Sequence, residues 1–232
     1  LGLLYFNDNQ PEKAATAYKQ VISNYPGSEE AKIALQDLKS VYIDLNDINA
    51  YASYVNSIGG NIRLEVGEQD SLTYIAAEKL FMRGDNDGAR RSLINYLQTF
   101  PEGAFSSNAN FYLGSIAFAK KEFDEAIQRF KSVIASGDTK FLEESVARTA
   151  EIEYLSKDYP AALESFKRLQ IVAENPENRQ AARLGIMRCA LQTGQQKDAL
   201  LAADELLKEP KLSPELEAEA RYVRAKAYIA QK

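Results

Sequence analysis

The stretch "FYLGSIAFAKKEFDEAIQRFKSVI", residues 111–134, decides how the chain folds. Its apolar residues recur three and four apart on both sides of the polar gap Lys120-Lys121-Glu122. That spacing is the signature of amphipathic helix, whereas a strand would alternate every second residue. Two helices joined by so short a gap form an antiparallel hairpin. Such helices approach closely only where a side chain is small, with larger residues filling the groove above and below. Gly114 and Ala126 are the expected facing pair, with Phe130 and Val133 beyond them.

The same unit recurs in both directions. "PEKAATAYKQVI" (11–22), "NDGARRSLINYL" (86–97), "YPAALESFKRLQ" (159–170) and "QKDALLAADELL" (196–207) repeat the second helix around Ala14, Ala89, Ala162 and Ala199. Ala89, Ala126, Ala162 and Ala199 fall 37, 36 and 37 residues apart, and Ala14 lies 75 before Ala89. A further unit therefore belongs near residue 51, in "DINAYASYVNSI", with Tyr51 in the place of the small residue. First helices stand upstream in "LQDLKSVYIDL" (35–45), "YIAAEKLFM" (74–82), "FYLGSIAFA" (111–119) and "LGIMRCALQ" (184–192). The gaps "NDNQ", "RGDND", "KKE", "SKD" and "TGQQK" carry the residues that tight turns favour. A fixed period of this length marks stacked helical hairpins, with an extra helix at 216–230.

Composition limits the chemistry. The 232 residues are 45% hydrophobic and include no apolar run approaching the roughly 18 residues of a membrane span. A net charge of −5 with scattered Lys and Arg argues against nucleic acid as a partner. There is no histidine, which removes the commonest general base and the commonest transition-metal ligand. One cysteine, Cys189, forms no internal disulfide, and a buried inert thiol is its expected state. "GDNDG" (84–88) opens like a calcium loop, but no bidentate Glu follows, so it reads as a hairpin turn. The pairs Asp124/Glu125 and Glu143/Glu144 are neighbours in sequence and point apart on a helix, unlike the facing carboxylates of a glycosidase. The expectation is a protein that is not an enzyme and holds no cofactor or metal.

The spacing Leu113, Gly114, Ala126, Phe130, Val133 resembles the tetratricopeptide repeat, as do Leu1, Gly2, Tyr5, Ala14, Tyr18, Val21 and Pro26. The resemblance implies an all-α fold, an α-α superhelix of about six helix-turn-helix repeats plus a C-terminal helix. The repeats would be 1–27, 28–60, 69–103, 104–138, 139–177 and 178–212, with the terminal helix at 214–232, in one domain. Several positions depart from the pattern: Thr149 and Glu153 at usually apolar places, Met187 for Gly, and Ala203 for an aromatic. The joints "NYPGSEEAKIAL" and "TFPEGAFSSNANFYLG" look like those of bacterial cell-envelope members. Those include the lipoprotein of the outer-membrane assembly machine and the periplasmic protein associated with the Tol system. That likeness favours a periplasmic or outer-membrane-associated location, with a cytoplasmic one open. Because Leu1 begins inside a first helix, the chain reads as a fragment of a longer protein.

The resemblance also implies that first helices line a concave face that binds a protein or peptide segment. Here that face would present Tyr74, Glu78 and Phe81, then Phe111, Ser115 and Phe118, then Arg148, Glu151 and Tyr154, and Arg188. Aromatic side chains edged by mixed charge are the composition of recognition hot spots. The Lys and Asn pair with which some family members hold a terminal carboxylate is absent, since Tyr74 with Glu78 and Phe111 with Ser115 stand in its places. Two alternatives accompany this scaffold reading: a regulatory arm of a signalling or transcription-regulating protein, and the helical arm of a peptidoglycan-acting enzyme. The oligomeric state is left open.

"IGGNIRLEVGEQDS" (58–71) is the least regular stretch. The period is uninterrupted across it, so it reads as a joint between hairpins. Gly59 or Gly60 would end one helix, and Asp70 or Ser71 would cap the next. Ile62, Leu64 or Val66 would staple the joint to its neighbours, and a bend of the superhelix is expected there.

Overall fold

The computed structural model describes residues 1–59, 62–137 and 140–230. Among these residues it contains thirteen α-helices and no strand. They are α1 (Gly2–Asn7), α2 (Pro11–Asn24), α3 (Glu29–Asp44), α4 (Ile48–Ile58), α5 (Val66–Met82), α6 (Asn86–Thr99) and α7 (Ser106–Ala119). Then follow α8 (Phe123–Ser136), α9 (Leu142–Leu155), α10 (Tyr159–Val172), α11 (Pro176–Gln192), α12 (Gln196–Leu206) and α13 (Pro214–Ala230). The last two residues of the expected terminal helix, 231 and 232, lie outside the described residues.

The hairpin turns keep time with the period. Each holds one residue in the left-handed region: Asn9, Asn46, Gly84, Lys121, Lys157 and Gly194. Each stands five residues before the anchor of its second helix, at Ala14, Tyr51, Ala89, Ala126, Ala162 and Ala199. The next amide N–H then donates to a carbonyl five residues back, as Asp85 does to Leu80 at 3.0 Å and Glu122 to Ala117 at 2.9 Å. This bond satisfies a carbonyl that the end of the first helix would otherwise leave open. Tyr51 is thereby fixed as the anchor of the second hairpin, and it is buried. The five alanine anchors are all 0% exposed.

The chain divides into two compact units, Leu1–Leu113 and Gly114–Lys232. In the first, Ala14, Tyr18, Leu38, Val41, Tyr51 and Val55 build the core with Leu72 and Ala76. Gly2 admits the Tyr18 ring, and a side chain there would strike it. In the second unit, Val146, Leu163, Phe166, Leu169, Met187 and Leu206 are the larger core residues. The ring that crowds Gly114 is that of Phe130, one turn beyond Ala126, so the expected small-residue contact makes room for an aromatic ring. From α1 to α6 and from α8 to α13, sequential helices pack as neighbours, and first helices also meet: α3 with α5, α9 with α11, and α11 with α13.

Residues that depart from the repeat pattern have local partners. The Thr149 hydroxyl donates to the Ser145 carbonyl at 2.8 Å. Glu153, buried, accepts from the Ser165 hydroxyl at 2.6 Å and pairs with Lys131 at 3.1 Å. A buried carboxylate is tolerated only with such partners. Met187 is fully buried in the glycine's place, while the glycine of that helix stands at 185 and makes room for Phe166 of the preceding hairpin.

The joint at 58–71 departs from expectation. Helix α5 begins at Val66 behind Glu65, so Asp70 and Ser71 lie inside it and cap nothing. The Ser71 hydroxyl instead donates to the Gly67 carbonyl one turn back, at 2.9 Å. Gly59 ends α4 with φ of 79°, and Gly60 lies outside the described residues. Of the three expected staples, only Leu64 packs against the first core. Ile62 and Val66 are 45% and 73% exposed.

Candidate functional site

The side chains expected to line a binding face separate by unit. In the first unit they form a polar and aromatic cluster in which Tyr74 is buried and Glu78, Phe81 and Phe111 are half-buried. Tyr74 is only 2% exposed. Its ring stacks on Phe105 at 4.5 Å, and its hydroxyl donates to Glu78 Oε1 at 2.6 Å. Asn108 donates to the Tyr74 oxygen at 3.2 Å, and the Tyr112 hydroxyl donates to Glu78 at 3.0 Å. Burial, with the Glu78 hydrogen bond second, drives the Tyr74 pKa well above the ordinary phenol range. Phe81 packs on Tyr112 at 4.6 Å, and Phe111 lies edge-on to the same ring at 5.7 Å. Tyr74 is therefore an interior side chain rather than a surface ring, because its hydroxyl finds partners inside the unit.

In the second unit the predicted residues meet at an open cleft of about 380 Å³ between α9 and α11. Arg148, Glu151 and Tyr154 contribute from α9, and Arg188 from α11. Phe118 joins their edge, with the Arg148 guanidinium 4.9 Å above its ring. Such a cation–π contact holds both groups in place. Ser115 is half-buried on α7 and does not line the cleft.

The floor is apolar. Tyr154 stands edge-on to Phe166 at 6.4 Å, and Leu169, Leu184, Ala147 and Ala181 complete the lining. Gly185 lets the Phe166 ring lie against α11 in that floor, since any side chain there would collide with the ring. Fixed ion pairs form the rim. Arg188 reaches Glu219 on α13 through Nε and a terminal nitrogen, both at 2.7 Å. The Glu219 hydrogen bond raises the Arg188 pKa, and Arg188 in turn lowers that of Glu219. On α9, Arg148 donates to Glu144 at 2.8 Å and Glu151 at 3.0 Å.

The lining residues not foreseen include Glu144, Ala147, Asn178, Ala181 and Leu184. They continue the helical spacing of the predicted ones: 144, 147, 148, 151, 154 and 155 run along one face of α9. Residues 178, 181, 184, 185 and 188 do the same on α11. That periodicity was available in the sequence. Among the described residues no group of His, Cys, Asp and Glu could hold a metal ion, and no helix is long and apolar enough to cross a membrane.

Residues 1–28 and 76–139 match two family models, each described as tetratricopeptide repeat. No curated protein matches the chain. Among solved structures it is similar to the C-terminal part of a TPR repeat-containing protein from Cytophaga hutchinsonii. The TM-score there is 0.51 at 16% identity, covering 100% of this chain and 88% of that one. It is also similar to Pseudomonas aeruginosa pilF, with a TM-score of 0.48 at 14% identity over 100% of this chain and 94% of the other. The type IV pilus biogenesis factor PilW gives 0.48 at 14% identity, with 94% of each chain covered. At these identities the likeness shows the fold alone.

Proposed function

We propose that this chain, which carries tetratricopeptide repeats, is a non-enzymatic scaffold that holds a segment of a partner protein in the α9/α11 cleft. The observation that carries the reading is the cleft's floor. Tyr154, Leu184 and the other floor residues form a preformed apolar depression, and ion pairs fix its rim. A partner can seat side chains there without the scaffold refolding, which spares the ordering cost of binding. We further propose that the setting is bacterial cell-envelope assembly. The support is the form of the joints "NYPGSEEAKIAL" and "TFPEGAFSSNANFYLG".

The test is photocrosslinking with benzoylphenylalanine placed at Ala181, in the cleft, or at Ile171, which is 84% exposed on α10. A discrete adduct from position 181 only, formed in an envelope extract of the source cells, is the expected result. Equal adducts from both positions, or none from 181, would remove the cleft from the reading. An adduct formed only in a cytosolic extract would remove the envelope setting.

A further inference from the structure

Two arginines at the rim of an apolar cleft suggest a receptor for acidic ligands, but the balance of paired charges points the other way. Arg188 has given Nε and a terminal nitrogen to the two oxygens of Glu219. Arg148 has given Nε to Glu144 and a terminal nitrogen to Glu151. Around the cleft, three carboxylates thus meet two guanidiniums, which leaves one negative charge over. Beside the N–H groups that each guanidinium still has, the carboxylates keep capacity of their own. Each of Glu144 and Glu151 uses one oxygen on Arg148. Asn178 has turned its amide nitrogen to Glu143 at 2.7 Å, leaving its carbonyl oxygen. Glu144 and Glu151 are each more than two-fifths exposed at the side chain, so an incoming group can reach them. A basic segment would meet that surplus negative charge, whereas an acidic one would add to it.

Resting on the cleft as the docking site, we infer that its occupant is a basic peptide segment of a partner protein. One bulky apolar side chain of that segment fills the depression between Tyr154 and Leu184. Lysine or arginine on either side of that anchor meets Glu144 and Glu151. The anchor provides most of the affinity and the flanking charges the selectivity, because rim ion pairs in water are individually weak.

The experiment uses the full chain, methyl-labelled at leucine, titrated with three blocked hexapeptides. The first has Phe-Leu between two pairs of lysines, the second Phe-Leu between two pairs of glutamates, and the third Ala-Ser between two pairs of lysines. The first peptide should shift the methyls of Leu169 and Leu184 and bind roughly fivefold or more tighter than the second. The double variant Glu144→Gln, Glu151→Gln should erase or reverse that advantage. Ala181→Trp, a change at an exposed position that fills the cleft, should abolish binding while leaving the thermal melt unchanged. If the glutamate peptide binds as well as the lysine peptide, and Ala181→Trp still blocks it, the charge inference falls and the docking cleft stands. Equal binding of the Ala-Ser peptide would overturn the apolar anchor. If none of the three peptides moves Leu169 or Leu184, the cleft itself is lost as a docking site.

Discussion

Asp70 accepts the Tyr96 hydroxyl at 2.6 Å inside the first unit. Its other oxygen takes the Ala104 amide N–H at 2.9 Å, while the Tyr96 oxygen accepts from the Phe105 amide at 3.0 Å. A carboxylate on α5 and a phenol on α6 thus hold the joint that leads into α7. Glu143 at the start of α9 does the same for a later joint, accepting from the Glu174 and Asn175 amides at 2.9 and 3.1 Å. Tyr96→Phe leaves both Asp70 and the Phe105 amide short of a partner. It should cost about 1–3 kcal/mol in a denaturant titration. Amide exchange at Ala104 and Phe105 should quicken more than at the core of α6.

The pair Arg188–Glu219 makes stability depend on acid. The hydrogen-bonded guanidinium holds the Glu219 carboxyl below its ordinary value. A carboxyl lowered in the folded state stabilises fully above its unfolded pKa and loses that contribution as pH falls through its folded pKa. Glu219→Gln should therefore melt below the parent protein at neutral pH. The gap should close as pH falls from the ordinary carboxylate range through that lowered value, and a gap that persists there would exclude the pair as its source.

Lys121 and Lys157 occupy turn positions with φ of 60° and 62°. A β-carbon is strained in that region and glycine is not. Lys157→Gly should raise stability by up to about 1 kcal/mol. Gly194→Ala, at φ of 74° in the equivalent turn, should lower it. Melting temperatures of the two variants moving in the same direction would contradict the assignment.

Ala126 has no exposed surface, and Gln128 on the same helix is exposed. Ala126→Leu should overpack α8 and cost about 1–3 kcal/mol, with Gln128→Leu close to neutral. Gln128 is a cleaner control than Glu125, which is half-buried and pairs with Arg129 at 3.7 Å.

Burial pushes the Cys189 thiol up to about 11, although Arg188 beside it pulls the other way. At pH 8 the folded protein should react with an aromatic disulfide reagent only as fast as it unfolds. The labelling rate should climb with urea in parallel with the unfolding rate. Fast labelling of the folded chain would place the sulfur at the surface.

The period was legible in the sequence because each anchor is a residue that packing leaves no choice about. Ala89, Ala126, Ala162 and Ala199 have no exposed surface and each stands five residues after a left-handed turn residue, so their spacing reports the fold directly. The α9 face of the cleft was legible for the same reason, since Arg148, Glu151 and Tyr154 share one helical stripe. What failed were positions decided by partners distant in sequence. Asp70 carries the residue type of a helix cap, yet it is spent on Tyr96 and the Ala104 amide, 26 and 34 residues on. Tyr74 shares the helical position of a surface ring but is enclosed by Phe105, Asn108 and Glu78, and no local pattern announces those contacts. The commitment of Arg188 to Glu219 belongs to the same class, 31 residues apart.

The two kinds of connection in this chain set different rules for anyone who would graft onto it. A hairpin turn places its left-handed residue five positions before a buried anchor, so one added residue at 120–122 would rotate Ala126 off its contact. Among the described residues of the joint between α4 and α5, Ile62 and Arg63 face solvent and no residue is counted to a buried anchor in this way. A reporter domain, an affinity tag or a second recognition loop belongs there, where the length of the insert is free and the phase of the helices is not.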